Sequence, residues 1–407
     1  MSSTELSQKR LNIVMLSGFA LVGVVNTFLG PLLPLLSVQW SLNDAQAGRL
    51  FAAQYAGGIV GALASSPILT RFGYLRTLLA GYIVMSAASA CFGYSSAFTA
   101  IPSIFCEGVS LGLLVPATNV LAAEMYPSRQ AEALNLANFA WGVGAIAGPP
   151  VLVYFARSTV LLPMLGLAAM LAAVTLWLLR CASGVPAVAD AGADDSQASS
   201  VLQAWTAPFA LCTGLLIFLY VGTEVSTYGW VASYARRLVS SSQKNWMLAQ
   251  TAFWIGLIGS RALAPSILRR ISTSGLIISG MMAANLGLLT ILLSSELSGA
   301  ITGAALAGLG MGPIFPTVFA RFTQGFGALA ARMAGILFVI SNLGAGSFPW
   351  AVGLISAHFG GLRSGLVVPL AAAALMAAVQ TAMILFPSSQ NTTGRGFQTR
   401  RDHVFEP

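Results

Sequence analysis

Charge is scarce in this sequence: Asp, Glu, Lys and Arg make up 8% of 407 residues, against 56% hydrophobic residues and a mean hydropathy of +0.79. That is too little charge to coat a water-soluble globule of this length, which excludes the ordinary soluble classes. The net charge of +8 forms no clustered patch. Lys and Arg stand singly or in pairs at the ends of apolar runs, so no nucleic-acid partner is expected. Cysteine and histidine are few as well. Cys91, Cys106, Cys181 and Cys212 contain no CxxC, and His358 and His403 lie far from any cluster, so neither a disulfide framework nor a metal site is supported. No cofactor is expected. No nucleophile–base or metal constellation is visible, which makes an enzyme the least supported class. Lys9 and Arg10 precede an apolar run that reaches about residue 38, and a run of that length fits a retained spanning helix rather than a cleaved signal.

What the sequence has in abundance is apolar runs of membrane length. At roughly 17 to 25 residues per span, helices are expected near 11–37, 45–70, 77–96, 101–123, 132–156 and 159–180, then near 207–235, 246–270, 274–294, 298–320, 331–356 and 363–386. The expected fold class is an all-α membrane protein with twelve transmembrane helices in two six-helix halves, 1–180 and 205–387. A polar Ala/Ser/Gly/Asp-rich linker, 181–204, divides them, and residues 388–407 form a tail. Placing the N-terminus inside puts thirteen Lys and Arg at inner ends and six at outer ends. This asymmetry predicts cytoplasmic termini, linker and tail in the cell membrane. The halves repeat at an offset of 198 residues, with Gly61 on Gly259, Pro67 on Pro265, Arg71 on Arg269 and Gly112 on Gly310. Parallel six-helix repeats place a substrate site near the bilayer midplane between the halves, reached alternately from each side.

One carboxylate interrupts the seventh run. An acid at a helix centre costs roughly 2.5 to 3.5 kcal/mol on insertion scales, so Glu224 is expected to face a polar cavity or a partner. Tyr220, Glu224, Thr227 and Tyr228 share its helical stripe, a lining suited to a polyhydroxylated molecule. The alternative is a protonated acid bonding a neighbouring helix. Asn135, Asn138 and Trp141 share a face of the fifth helix. Amides both donate and accept, as hydroxyl-rich solutes require, and an indole stacks on a CH face; amides that merely tie helices together are the other reading. Gln250 and Trp254 repeat the pattern on the eighth helix with Arg261, an intramembrane cation about 12 Å from Arg269 that needs a carboxylate or carbonyls. Asn26, Asn119 and Asn342 are single candidates. Glu107 is a second proton-coupling candidate, placed where its side chain is expected to reach water at the outer end of helix 4.

Four ordered motifs carry a resemblance: Leu134-Asn-Leu-Ala-Asn-Phe-Ala-Trp-Gly-Val-Gly-Ala-Ile-Ala-Gly-Pro149, Val221-Gly-Thr-Glu-Val-Ser-Thr-Tyr-Gly-Trp230, Gly312-Pro-Ile-Phe-Pro-Thr317 and Gly344-Ala-Gly-Ser-Phe-Pro-Trp350. With twelve helices, the chain resembles the major facilitator superfamily, and these motifs resemble its fucose permease (sugar permease) branch. The resemblance implies secondary active transport of a small sugar or polyol by a monomer in the lipid bilayer, with protons as candidate co-substrate. It also implies that helices 5 and 8 face the pore. There are departures. Thr70, not an acid, precedes Arg71, so the inner-gate cluster is incomplete; Glu124 is expected to pair with Arg71 or Arg129, with Arg269 in the second half. Thr27 and Val115, which do not titrate, stand where fucose permease carries acids, so coupling through that pair is not expected and Glu224 and Glu107 are the candidates. An exporter of small amphipathic compounds and a transport-inactive sensor are the alternative functions.

Overall fold

The computed structural model describes residues 3–156, 159–181, 198–239 and 245–385. Most of the expected linker, 182–197, and the tail lie outside the described residues. Almost everything described is helix, in twelve passes. The first, α1, runs Ser3–Thr27 and continues as Leu29–Gln39. Asp44–Gly93, 50 residues, holds two helices that meet at a kink, enough for two bilayer spans. Gly73, at φ 80°, breaks it into α2 (44–72) and α3 (74–93). Then come α4 (Ala100–Met125), α5 (Gln130–Phe155), α6 (Leu161–Arg180), α7 (Pro208–Arg237), α8 (Leu248–Ile267) and α9 (Thr273–Leu293). The last three are α10 (Leu297–Met311, continued by Ile314–Phe326), α11 (Ala330–His358) and α12 (Val367–Leu385).

Ten of the described helices are long and apolar enough to cross a membrane. Counting the 50-residue stretch twice gives eleven, and α8 is the twelfth. Gln250, Ser260 and Arg261 dilute its hydropathy because it lines the interior. Local chemistry sets several ends. At the start of α2, Asn43 accepts from the Gln46 amide N–H at 2.8 Å while Gln46 Oε1 accepts from the Asn43 N–H at 2.9 Å, a reciprocal capping box. The end of the expected linker is not all coil: Ala198–Trp205 is helical, because Val201 and Trp205, one turn apart, dock on the core, with the Trp205 ring 6.1 Å from Phe322.

Each half is clamped by glycines at the same places. Gly57 of α2 abuts the backbone of Phe105 and Val109 on α4, and Gly256 of α8 abuts that of Ala305 and Leu309 on α10. Gly108 meets Gln54 and Gly58, and Gly308 meets Phe253 and Leu257. These matched crossings put the repeat at 199 residues on α2 and α8 and at 200 on α4 and α10. The 198-residue register therefore slips by one on α8, so that Gly61 corresponds to Ser260 rather than Gly259, and by two on α10. Gly112 packs on α2, whereas Gly310 packs on α9, and Gly312 holds the place equivalent to Gly112, against Leu257 of α8. Small residues recur along α10, so a two-residue slip still lays glycine on glycine in the sequence.

Beyond mid-depth, on the face away from the N-terminus, the halves close on one another. Tyr55 and Tyr228 share a hydrogen bond of 2.6 Å, the Phe51 ring of α2 lies 6.0 Å from that of Trp230 of α7, and Asp44 of α2 pairs with Arg237 of α7 at 2.5 Å and accepts from Ser356 of α11. Towards the N-terminal face no such ties join the halves among the described residues.

Candidate functional site

At mid-depth the two halves enclose a cavity of about 250 Å³, lined by Asn26 of α1, Tyr55 of α2, Trp141 of α5, Glu224 and Tyr228 of α7, Trp254 and Arg261 of α8, Phe315 of α10 and Ser341 and Asn342 of α11. Its size suits a small solute. The walls are aromatic and mutually braced: Trp254 lies 5.4 Å from Trp141 in an edge-to-face pair and 5.0 Å from Tyr228. Aromatic packing of this kind fixes ring planes. Trp254 is 2% exposed and its indole N–H has no hydrogen-bond partner. A buried donor left open in a cavity wall is a position where a ligand or a water acceptor belongs.

The charge in the cavity is one ion pair. Arg261 Nη2 lies 3.8 Å from Glu224 Oε1, longer than a hydrogen bond, with the two side chains 34% and 12% exposed. Arg261 Nε donates to the Gly312 carbonyl at 3.0 Å. That carbonyl is free to accept because the residue four positions on is Pro316, which has no N–H. A second proline does the same on α1. Pro31 leaves the Thr27 carbonyl unbonded within the helix, and Gln250 Nε2 donates to it across the halves at 2.9 Å.

Equivalent positions of the two halves meet here with different chemistry. Gly144 of α5 abuts Ala20 of α1 as Gly344 of α11 abuts Phe218 of α7, a register of 200 on α5 and α11 and of 198 on α1 and α7. Asn26 therefore corresponds to Glu224, Trp141 to Ser341 and Tyr55 to Trp254, while the counterpart of Arg261 is Ala62, which lies outside the cavity wall. Both charges therefore come from the second half.

Seven sequence candidates line the cavity: Asn26, Trp141, Glu224, Tyr228, Trp254, Arg261 and Asn342. Gln250 lies behind the wall, tied to Thr27. Asn135 and Asn138 are exposed and do not line it. They share the α5 stripe with Gly142, which faces Ile258 of α8, and so stand in the cleft leading to the N-terminal face. Asn138 Nδ2 donates to the Leu134 carbonyl and reaches Asn119 Oδ1 at 3.5 Å, while Asn119 donates back to Val115. Glu107 does not reach water: it is fully buried, accepts from Ser89 of α3 at 3.0 Å, and lies outside the cavity wall. Intrahelical position placed it near the end of α4, but its face turns inward to α3. Of the α7 stripe, Tyr220 and Thr227 are buried off the cavity.

Glu124 does not pair with Arg71 or Arg129. Arg129 reaches Glu132 at 3.8 Å, Arg71 sits over the Phe72 ring at 5.3 Å, and Glu124 faces the Tyr74 hydroxyl. Arg269 is exposed just past the end of α8. Sequence reasoning missed Tyr55, Ser341 and Phe315. The register of the repeat points to Tyr55, since it is the counterpart of Trp254.

The sequence profile of the Major Facilitator Superfamily matches residues 15–349. The chain belongs to that superfamily. Its apolar helices and this membership make it a multi-pass membrane protein. Over 108 residues, 26% of this chain and 24% of the other, it is 29% identical to the 4-hydroxybenzoate transporter PcaK of Acinetobacter baylyi. It is 22% identical over 273 residues to Bypass of stop codon protein 6 of Saccharomyces cerevisiae, 60% of this chain and 54% of that one. The chain thus spans about a quarter and about half of these relatives. Among solved folds, the nucleoside transporter NupG superposes with a TM-score of 0.73 at 12% identity, over 93% of this chain and 98% of NupG. The superfamily transporter FucP in its outward conformation gives 0.64 at 19% identity, over 92% and 99%. The D-xylose-proton symporter gives 0.68 at 15%, over 91% and 96%.

Proposed function

We propose that this transporter moves a small polyhydroxylated solute, a monosaccharide or related polyol, through the mid-depth cavity by alternating access, with Glu224 as the proton-coupling group. The observation that carries the reading is the open indole donor of Trp254 in an aromatic cavity built by both halves. Stacking walls with scattered donors and acceptors from Asn26, Asn342 and Tyr228 suit a ring that is apolar on its faces and hydroxylated at its edge. The similar folds of the fucose:proton symporter FucP and the D-xylose-proton symporter, both carriers of sugars, support this reading.

In this reading the six-helix halves 1–180 and 205–387 rock about the cavity, joined by the cytoplasmic linker 181–204, with the tail 388–407 also inside. The Lys and Arg asymmetry places the N-terminal face in the cytoplasm. The described form is then inward-open, with Asp44, Tyr55 and Trp230 sealing the outer side.

Uptake of a radiolabelled sugar panel into proteoliposomes, with and without an inward pH gradient, tests this. Saturable uptake of a sugar, raised by the gradient, is the expected result. A chain that reconstitutes correctly yet moves no sugar or polyol would refute the substrate reading, and labelling of a cysteine at position 195 from outside the cell would refute the orientation.

A further inference from the structure

Arg261 is anchored at one edge and loosely met at the other. Its Nε edge is fixed on the proline-freed Gly312 carbonyl at 3.0 Å, while the terminal nitrogens face Glu224, at 3.8 Å, and the neutral Tyr220 hydroxyl. A guanidinium is satisfied by a planar two-oxygen acceptor at roughly 2.7 to 2.9 Å, and Glu224 does not approach that closely. We infer that the solute carries a carboxylate that displaces Glu224 from Arg261, so that the transported class is a hydroxylated monocarboxylate. This rests on the reading of the cavity as the transport site and sharpens it.

Charge bookkeeping then gives the coupling. The empty cavity holds one negative and one positive group and is otherwise lined by neutral side chains. Adding an organic anion leaves two carboxylates on one guanidinium in a confined, aromatic space, and a carboxylate without a partner there is neutralised by a proton. The groups facing Glu224 are Tyr220 and Tyr228 on its own helix, Tyr55 of α2 and Arg261 of α8. Arg261 is the one cation among them. Once the solute holds Arg261, Glu224 keeps only the neutral Tyr220 phenol, since the phenol pair Tyr55–Tyr228 is already closed on itself at 2.6 Å, and one neutral donor does not replace a cation. One proton therefore enters with one anion. No net charge moves.

The closing experiment uses the purified full chain in proteoliposomes with five labelled probes: D-gluconate, D-glucuronate, D-glucose, 4-hydroxybenzoate and 4-hydroxybenzamide. The expected result is uptake of at least one acid but not its neutral partner, driven by a pH gradient and unchanged by an imposed potassium-diffusion potential. Arg261→Gln weakens that acid's binding by roughly ten- to a hundredfold, and Arg261→Lys, which keeps the charge without the fork, weakens it less. Glu224→Gln still binds the acid, with affinity no longer dependent on pH. Glucose uptake with no acid uptake would overturn the carboxylate inference and leave the sugar reading standing. Uptake of 4-hydroxybenzoate but neither sugar acid supports the inference while the sugar reading fails. Potential-driven uptake of an acid, or an acid whose affinity survives Arg261→Gln in protein that remains monodisperse, overturns the inference, as does failure of every acid.

Discussion

Asp44, in the first turn of α2, holds Arg237, in the last turn of α7, at 2.5 Å, and the same carboxylate accepts from Ser356 of α11. One acid of the first half thus ties two helices of the second. It is well placed to do so, since an acid in a helix's first turn and a base in another's last turn each favour their own macrodipole. The pair lies at the rim, with side chains 46% and 14% exposed, so its contribution to stability is about 1 kcal/mol or less. Its importance is conformational, because it ties the two halves together on this face. A difference of 1 kcal/mol changes a two-state population about fivefold.

Asp44→Ala is therefore expected to open the far face. A cysteine introduced at position 345, on the cavity wall, reacts up to about fivefold faster with a membrane-impermeant thiol reagent added from that side. The exchange Asp44→Arg with Arg237→Asp restores the slow rate in large part. An unchanged rate in Asp44→Ala would mean that the aromatic layer at Phe51 and Trp230 holds the face without help from the ion pair.

The glycine crossings make a separate claim about folding. Gly108 has the Gln54 carbonyl and the Gly58 amide where a Cβ would go, whereas Gly166 of α6 has nothing within 4 Å. Gly108→Val is expected to separate α2 from α4 at a cost of about 1 to 3 kcal/mol or more, and to cut the yield of monodisperse protein sharply. Gly166→Val leaves that yield at the parent level. Size-exclusion chromatography of the two variants side by side distinguishes them.

The fold was nearly all legible in the sequence, because a bilayer permits only helices of one length and the apolar runs announce them. The span expected near 246–270 is found as α8 although Gln250 and Arg261 dilute its hydropathy, and the spans expected at 45–70 and 77–96 meet at a kink at Gly73. Of the site candidates, those whose chemistry is anomalous in lipid, Glu224, Arg261 and the indoles, line the cavity. The amides divide, with Asn26 and Asn342 in the wall. Asn135 and Asn138 lie on the right face of α5 but below the cavity, a depth that periodicity cannot report. Tyr55 was overlooked because a tyrosine among apolar residues is unremarkable until the repeat register pairs it with Trp254. Prolines carried a message not read in the sequence: Pro31 and Pro316 each free a carbonyl that a side chain of α8 then takes.

That last relationship can be tested directly. Pro316→Ala supplies an N–H to the Gly312 carbonyl, which then closes its own helical bond and competes with Arg261 Nε. Loss of one hydrogen bond to a charged donor is worth about 1.5 to 3 kcal/mol. The expected result is solute binding weakened about tenfold or more with the protein still folded, read by isothermal titration or scintillation proximity with whichever solute the uptake screen identifies. Binding equal to the parent would show that Arg261 is oriented by Glu224 alone.

Trp254 separates donor from wall. Trp254→Phe keeps an aromatic surface against Trp141 and Tyr228 but removes the buried indole N–H that has no partner in the protein. If a solute oxygen accepts from it, affinity falls about five- to tenfold, the worth of one hydrogen bond of roughly 1 to 1.5 kcal/mol; Trp254→Ala, which also removes the wall, falls further. Equal affinity of Trp254→Phe and the parent would assign the indole to water.

Glu224 decides whether the cavity is coupled. Glutamine at this position keeps the shape and one acceptor oxygen but carries no charge and takes up no proton, so the two roles that Glu224 can have come apart in a single variant. If the acid is the proton carrier, Glu224→Gln exchanges labelled for unlabelled solute across the proteoliposome membrane at close to the parent rate, yet accumulates none against a gradient when the outside is acidified. If the acid only binds solute, accumulation and exchange weaken together and in proportion to affinity. The geometry favours the first outcome. The pair to Arg261 is long at 3.8 Å and so is readily exchanged, and no second carboxylate lines the cavity, since Glu107 is sealed behind α3 and α4 with Ser89. Parent-like affinity, exchange and accumulation in Glu224→Gln would make this residue a structural acid and would move the coupling step out of the cavity altogether.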